Sequence, residues 1–179
     1  MPGMDAALKQ RASKIRMLVL DVDGVLTDGK LYFDHAGNEM KAFNTRDGLG
    51  MKALQRVGIE VAVITGRKSE AVSYRMNQLG IAHVYQGRED KLDAFLDLLK
   101  TTRLDAQQVC FAGDDWIDLP VLMRVGLAVS VADAEDHVKQ QAHWITQRNG
   151  GHGAVREICN LILKAQGKDQ TILDEILAS

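Results

Sequence analysis

Asp21 and Asp23 stand two residues apart, directly after the apolar run Met17-Leu18-Val19-Leu20 and directly before Gly24. In an extended chain, residues i and i+2 point the same way, so both carboxylates are expected to face one site. Two unpaired carboxylates repel. Burial then raises a pKa or demands a cation, and an all-oxygen donor set suits a hard one such as Mg2+. Thr65, Lys91 and Asp114 each follow a later predicted strand or open the helix beyond it. This set suits phosphoryl transfer. One carboxylate can attack phosphorus and form an aspartyl-phosphate; a second can protonate the leaving oxygen and then activate water. A hydroxyl and an ammonium can hold the remaining phosphoryl oxygens. A close pair of like charges costs about 4 kcal/mol at roughly 4 Å with an effective dielectric near ~20. Three carboxylates would therefore exclude a phosphate dianion unless Mg2+ and the Lys91 ammonium reverse the balance.

The elements that must position these residues alternate. Short apolar or β-branched runs at 16–21, 59–64, 83–85, 109–112, 127–129 and 143–145 read as strands. Helical spacing is expected over 48–57, 69–79, 89–100, a short stretch reaching Arg124, 134–140 and 154–166, after a polar lead-in over 1–14 with a short helix. This alternation implies an α/β fold: a Rossmann-like parallel sheet with helices on both faces and right-handed crossovers. In such a sheet ligands bind at the carboxyl ends of the strands, so Asp21, Asp23, Thr65 and Asp114 should gather at one mouth, with Lys91 reaching in. Residues 29–43 break the pattern. Two β-prone arms flank His35-Ala36-Gly37-Asn38, a projecting hairpin that carries Leu31, Phe33, Met40 and Ala42 outside the main sheet. Such a hairpin needs something to pack on, and another subunit is a good candidate.

The chain has 179 residues, 46% apolar and 26% charged, with a net charge of -2. That is ordinary for one domain over 1–179 with a real core, with the hairpin at about 29–43 and a tail at about 167–179. The charge gives no reason to expect nucleic acid. No apolar run approaches the roughly 20 residues that span a bilayer, and none follows the early basic residues as a signal peptide would, so the expected location is the cytoplasm. Cys110 and Cys159 read as small buried hydrophobes with no disulfide, and the scattered histidines do not suggest zinc.

The stretch Asp21-Val22-Asp23-Gly24-Val25-Leu26-Thr27-Asp28, with Thr65, Lys91 and Gly113-Asp114-Asp115-x-x-Asp118, resembles the ordered motifs of the haloacid dehalogenase superfamily. Phe43-Asn44-x-Arg46-Asp47-Gly48, Val63-Ile64-Thr65-Gly66-Arg67-Lys68 and Gly153-Ala154-Val155-Arg156-Glu157 extend the resemblance, over about residues 15–168, to the small capless phosphatases of 3-deoxy-D-manno-octulosonate 8-phosphate. The resemblance implies Asp21 as nucleophile and Asp23 as general acid/base. It implies Mg2+ held by the Asp21 carboxylate, the Asp23 backbone carbonyl and Asp114, with Thr65 and Lys91 on the phosphoryl group. Asn44, Gly66 and Arg67 would contact the sugar acid. It further implies a homotetramer in which hairpins meet centrally and neighbours complete each site in place of a cap domain, a tail that can close over an adjacent site, and a role in lipopolysaccharide precursor synthesis.

Several residues admit two readings. Asp115 and Asp118 support the metal's surroundings or favour the next helix's N-terminus. Arg67 grips a substrate carboxylate or forms a surface ion pair, and Arg75 reads mostly as a solvated helix residue. Asp47 reads as a helix cap rather than a substrate contact. Gly150, Gly151 and Gly153 read as a helix entry rather than a ligand cradle. His152 stands where relatives often carry arginine, which leaves the exact sugar acid open; a nine-carbon sialic-type keto acid 9-phosphate is the rival substrate. A receiver-like Mg2+-binding signalling domain would share the clustered acids, but it usually places its phosphorylated aspartate after a middle strand. A catalytically idle interaction module would be expected to lack a motif residue, and none is missing.

Overall fold

A computed structural model describes residues 4–178, so Met1–Gly3 and Ser179 of the expected single domain lie outside the described residues. The elements in chain order are α1 (Ala6–Ala12), β1 (Met17–Leu20), β2 (Tyr32–Phe33), β3 (Glu39–Met40), α2 (Thr45–Arg56), β4 (Glu60–Ile64), α3 (Glu70–Leu79) and β5 (His83–Tyr85). Then follow α4 (Lys91–Thr102), β6 (Val109–Gly113), α5 (Leu119–Leu122), β7 (Leu127–Ser130), α6 (Asp136–Gln141), β8 (Trp144–Ile145), α7 (Ala154–Ala165) and α8 (Asp169–Leu177). Short 3-10 turns at Ala106–Gln108 and Trp116–Asp118 precede β6 and α5.

Six strands form one sheet in the order β5-β4-β1-β6-β7-β8, every pair parallel. This is the expected α/β sheet with helices on both faces. All four residues of β1 are buried, as are all five of β6, which is why these strands read as unbroken apolar runs rather than alternating ones. β1 lies at the centre. From it the chain builds outward through β4 and β5 on one side and through β6, β7 and β8 on the other. The reversal leaves a crevice at the carboxyl end of β1, the usual ligand position in such sheets. Register places Leu20 beside both Val63 and Ala112, so the loops after β1, β4 and β6 open at one edge.

The hairpin forms a separate two-stranded sheet, with Tyr32 opposite Met40 and Phe33 opposite Glu39. Its arms are shorter than the pattern over 29–43 suggests. Its apolar side chains Leu31, Phe33 and Met40 are about half exposed, at 48%, 56% and 55%. Between the acidic loop and β4 there is only this hairpin and α2, so no cap domain is inserted there.

α7 carries the most continuous apolar face, burying Ile158, Leu161 and Ile162 among others, and it packs against α2 and α1. The tail beyond Lys168 is a helix, α8. It is anchored by buried Ile172, while Lys168 Nζ donates to Val57 O at 3.1 Å; Leu173 and Leu177 remain exposed. Cys110 and Cys159 are free and buried, as expected.

Candidate active site

Asp21 is the first residue beyond β1, and its N–H still donates to Ala112 O at 3.1 Å, so β6 fixes its backbone. Lys91 opens α4, whose first turn is capped by the Asp90 carboxylate accepting from the Leu92 and Asp93 N–H groups at 3.1 Å. That cap aims the Lys91 side chain inward. Its ammonium lies 2.8 Å from Asp21 Oδ1 and 2.6 Å from Asp118 Oδ1, wholly shielded from solvent. Burial alone would lower this ammonium's pKa, but the Asp21 and Asp118 carboxylates outweigh it and hold the group charged.

Asp114 follows β6 and packs edge-on against Gly24. A Cβ on Gly24 would lie 2.0 Å from Asp114 Oδ2, and Gly24 has φ +93°, so this position requires glycine on both counts. One carboxylate oxygen from each of Asp21, Asp114 and Asp118 lies within 4.8 Å of the other two. Burial, reinforced by Asp118 and opposed by Lys91, pushes Asp21 up to about 7. Burial, with the Asp21 and Asp118 charges, pushes Asp114 up to about 8. Asp114 Oδ1 is buried with no hydrogen-bond partner. An unpartnered oxygen among crowded carboxylates is what a hard cation relieves, so these residues fit Mg2+. Asp118 is less free to bind one. Its Oδ1 holds Lys91, and its Oδ2 accepts from the Asp114 and Asp115 N–H groups at 3.0 and 3.2 Å. Asp21 and Asp114 are thus the carboxylates left for an ion.

Of the two readings of Asp115 and Asp118, the geometry separates the residues. Asp115 caps the 3-10 turn, accepting from Trp116 N–H at 2.7 Å. Asp118 is the counter-ion of Lys91 and the clamp of the Asp114 loop. Thr65, one step beyond β4, is buried, and its Oγ1 accepts from Arg67 N–H at 3.4 Å. A methyl on Gly66 would make ordinary contacts with Arg88 O and Ile117 Cδ1, both at 3.9 Å.

Asp23 is not held as simple strand alternation suggests. β1 stops at Leu20 and the chain turns, with the N–H groups of Val25, Leu26 and Thr27 all directed to Val22 O. The Asp23 carboxylate instead pairs with Lys41, and Arg67 Nε lies 4.0 Å away. Arg67 also donates to Glu39 Oε1 at 2.9 Å, so in this structure its guanidinium is engaged in an ion pair. Sequence pattern alone does not single out Glu39 and Lys41, whose local signal is the charged alternation Glu39-Met40-Lys41 about an apolar hairpin residue.

The start of α2 and the role of Asp47 differ from what the sequence suggests. α2 begins at Thr45, three residues earlier than its apolar spacing suggests, because Asn44 caps it: Asn44 Oδ1 accepts from Arg46 N–H at 2.9 Å. Asn44 Nδ2 donates to Gly151 O at 3.2 Å, so both ends of this amide are occupied. Asp47 therefore does not cap its own helix. It lies buried inside the first turn and accepts the Arg156 N–H of α7 at 2.7 Å, serving a helix whose own cap position, Gly153, has no side chain. Burial raises the Asp47 carboxyl despite the Arg156 and Gly153 N–H groups that favour its charge.

The glycine loop owes its composition to close backbone packing. A Cβ on Gly150 would meet Gly24 O at 1.6 Å, and Gly151 N–H donates to Val25 O at 3.0 Å. The loop thus presses on the acidic loop from behind. His152 is exposed, its N–H on Asn149 O at 3.1 Å. Arg75 reaches Gln78 Oε1 at 3.3 Å and, with Lys41, Phe43, Tyr74 and Gln78, lines a surface cavity of about 310 Å³.

Comparison with known proteins agrees with this geometry. Residues 81–158 match the model of the haloacid dehalogenase-like hydrolases. The chain is 52% identical over 159 residues to the 3-deoxy-D-manno-octulosonate 8-phosphate phosphatase of Yersinia pestis, covering 89% of this chain and 85% of that one. It is 50% identical to the Escherichia coli BL21-DE3 enzyme of the same name over 165 residues, 92% of this chain and 88% of that one. The crystal structure of the Moraxella catarrhalis 3-deoxy-D-manno-octulosonate 8-phosphate phosphatase, in complex with magnesium ion, phosphate ion and KDO, superposes with a TM-score of 0.92 at 40% identity. That superposition covers 94% of this chain and 97% of the Moraxella chain.

Proposed function

The chain belongs to the haloacid dehalogenase-like hydrolases, and we propose that it is an Mg2+-dependent phosphatase of 3-deoxy-D-manno-octulosonate 8-phosphate. The observation that carries this reading is the cluster of buried Asp21, Asp118 and Lys91 with half-buried Asp114 at the carboxyl end of the central strand, in a chain about half identical to enzymes of that activity.

Asp21 supplies the nucleophile. One of its carboxylate oxygens attacks phosphorus, and the bond to the sugar oxygen breaks as Asp23 delivers a proton to that oxygen. In the second half Asp23 takes a proton from water, the hydroxide oxygen bonds to phosphorus, and Asp21 leaves as carboxylate. Lys91, charged and 2.8 Å from Asp21, lowers the charge that an approaching dianion meets; with the Thr65 hydroxyl it is placed to hold phosphoryl oxygens. Asp21 and Asp114, with the Asp23 backbone carbonyl, would hold Mg2+, which when bound neutralises charge on the phosphoryl oxygens. Arg67, half exposed at the mouth, would exchange its Glu39 partner for the substrate carboxylate; Gly66 leaves that approach open, and Asn44 acts by bracing the loop beneath.

The assembly we infer is a homotetramer with hairpins at its centre, supported by the exposed Leu31, Phe33 and Met40 and by the lack of an inserted cap. Among the described residues no helix is long and apolar enough to cross a membrane, which agrees with action in the cytoplasm on a lipopolysaccharide precursor. The test is phosphate release with Mg2+ across sugar phosphates, including the eight-carbon and nine-carbon keto-acid phosphates. Preference for the eight-carbon ester is expected; preference for the nine-carbon ester, or no phosphate release, would overturn the assignment.

A further inference from the structure

Four side chains from three separate segments close a ring of alternating charge beside the site. Asp23 follows β1, Glu39 and Lys41 come from the returning arm of the hairpin, and Arg67 follows β4. Lys41 Nζ contacts Asp23 Oδ1 and lies 3.2 Å from Glu39 Oε1; Arg67 lies 2.9 Å from Glu39 Oε1 and 4.0 Å from Asp23 Oδ2. Within the ring Lys41 is unusual. Its side chain is 1% exposed, against 46% for Arg67. Lysine is almost never buried to that degree unless paired, and here it is paired twice.

We infer that Lys41 is the residue that positions Asp23 for proton transfer, delivered to the site by the hairpin. The inference rests on the proposed acid/base role of Asp23. A carboxyl group that must protonate a leaving oxygen and then, as carboxylate, accept a proton from water needs one orientation in both halves. A displacement of about 1 Å at such a group can cost roughly 10²-fold in rate. The turn over 22–27 does not supply that orientation, because among the described residues the Asp23 carboxylate has Lys41 and Arg67 as its ion-pair partners. Arg67 is the more distant and the more exposed of the two. Glu39 fixes Lys41 from its other side and leaves the ring neutral, so Lys41 orients Asp23 without adding net positive charge to the mouth. The hairpin would therefore do more than mediate assembly.

The experiment separates positioning from simple attraction of the phosphate dianion. In rapid-quench mixing with Mg2+, the first turnover of phenol release reports formation of the aspartyl-phosphate alone. A poor leaving group needs the proton from Asp23, and a good one needs it far less. For Lys41→Met, the first turnover with phenyl phosphate is expected to fall about 10²-fold, the lower end of what a general acid contributes. The fall with p-nitrophenyl phosphate is expected to be less than about tenfold, with KM nearly unchanged for both and Lys41→Arg restoring most of the loss. Equal losses on the two esters, or a raised KM alone, would overturn the role and leave Lys41 as a charge at the mouth. Should Lys41→Met fail to show a cooperative melt, Glu39→Gln, which loosens the other anchor of Lys41, carries the same comparison: a larger loss with phenyl phosphate supports the role and equal losses refute it. Wild-type chain that cleaves neither ester nor sugar phosphate would instead remove the proposed reaction, and this role with it.

Discussion

The Lys91 ammonium sits 2.6 Å from Asp118 Oδ1, and neither side chain is exposed to solvent. Asp118 is therefore the standing partner of Lys91, while Asp21, the other carboxylate at 2.8 Å, is proposed to turn to phosphorus during the reaction. Removing Asp118 would leave the buried Lys91 ammonium with Asp21 alone and would orphan the Asp114 and Asp115 N–H groups that donate to Asp118. Breaking one side of a buried pair costs about 3–5 kcal/mol. Asp118→Ala is expected to lose stability on that scale in urea unfolding, and an effect below about 1 kcal/mol would show that Asp118 does not anchor Lys91.

Asp21→Asn should abolish turnover yet leave the fold intact. The amide is nearly isosteric but cannot attack phosphorus. Because burial already pushes the Asp21 carboxyl up to about 7, replacing it by a neutral group should not lower the melting temperature in chelator. Phosphate release at the wild-type rate would remove Asp21 as nucleophile.

The same carboxylates set a pH dependence. Asp21 and Asp114 are raised from 3.8 to about 7 and about 8, so between those values the folded chain binds more protons than the unfolded one. Their contribution to stability is fully present below pH 3.8 and is lost as pH rises through about 7 and 8. In chelator the melting temperature should fall from pH 6 to pH 8.5. Added Mg2+ should restore more stability at the higher pH, because its ligands must be deprotonated. Ca2+ should bind without supporting turnover, since it prefers more oxygens and longer bonds. Melting curves with and without each ion, alongside phosphate release, check all three; an Mg2+ effect that shrinks with rising pH would contradict the ligand assignment.

Gly24→Ala should disable the metal site rather than the core. Its Cβ would fall 2.0 Å from Asp114 Oδ2, and the residue would be held at φ +93°. The Asp114 carboxylate must then leave its place beside Gly24. Calorimetry is expected to show Mg2+ affinity reduced by at least tenfold, and unchanged affinity would separate Asp114 from the ion.

The hairpin prediction concerns assembly. Leu31→Asp with Phe33→Asp places charges on side chains that are about half exposed in the single chain, at 48% and 56%. Light scattering should show dissociation of the proposed tetramer. Activity on the sugar phosphate should fall more than activity on a small phosphate ester, because the neighbour would no longer help to enclose the sugar. A wild-type monomer that is active and selective would refute both the assembly and the shared site.

What the sequence determined by itself is the order of strands and helices as far as α7, and that Asp21, Thr65 and Asp114 stand just beyond β1, β4 and β6 with Lys91 at the start of α4. These follow from local rules. Buried parallel strands are short unbroken apolar runs, and in an open α/β sheet chemistry sits just beyond their carboxyl ends. The termini of α2 were less legible, because Asn44 and Asp47 are both good cap residues and only the fold shows Asn44 serving its own helix while Asp47 serves α7, 109 positions away. The tertiary structure also decided that Asp118 belongs to Lys91, that Lys41 belongs to Asp23, and that Gly150 is small because Gly24 O lies against it. None of these pairs is near in sequence. Each joins the loop after β1 or β6 to a segment from elsewhere in the fold: Lys91 opens α4, Lys41 follows β3 and Gly150 follows β8, and no local pattern of residues encodes which segments will meet.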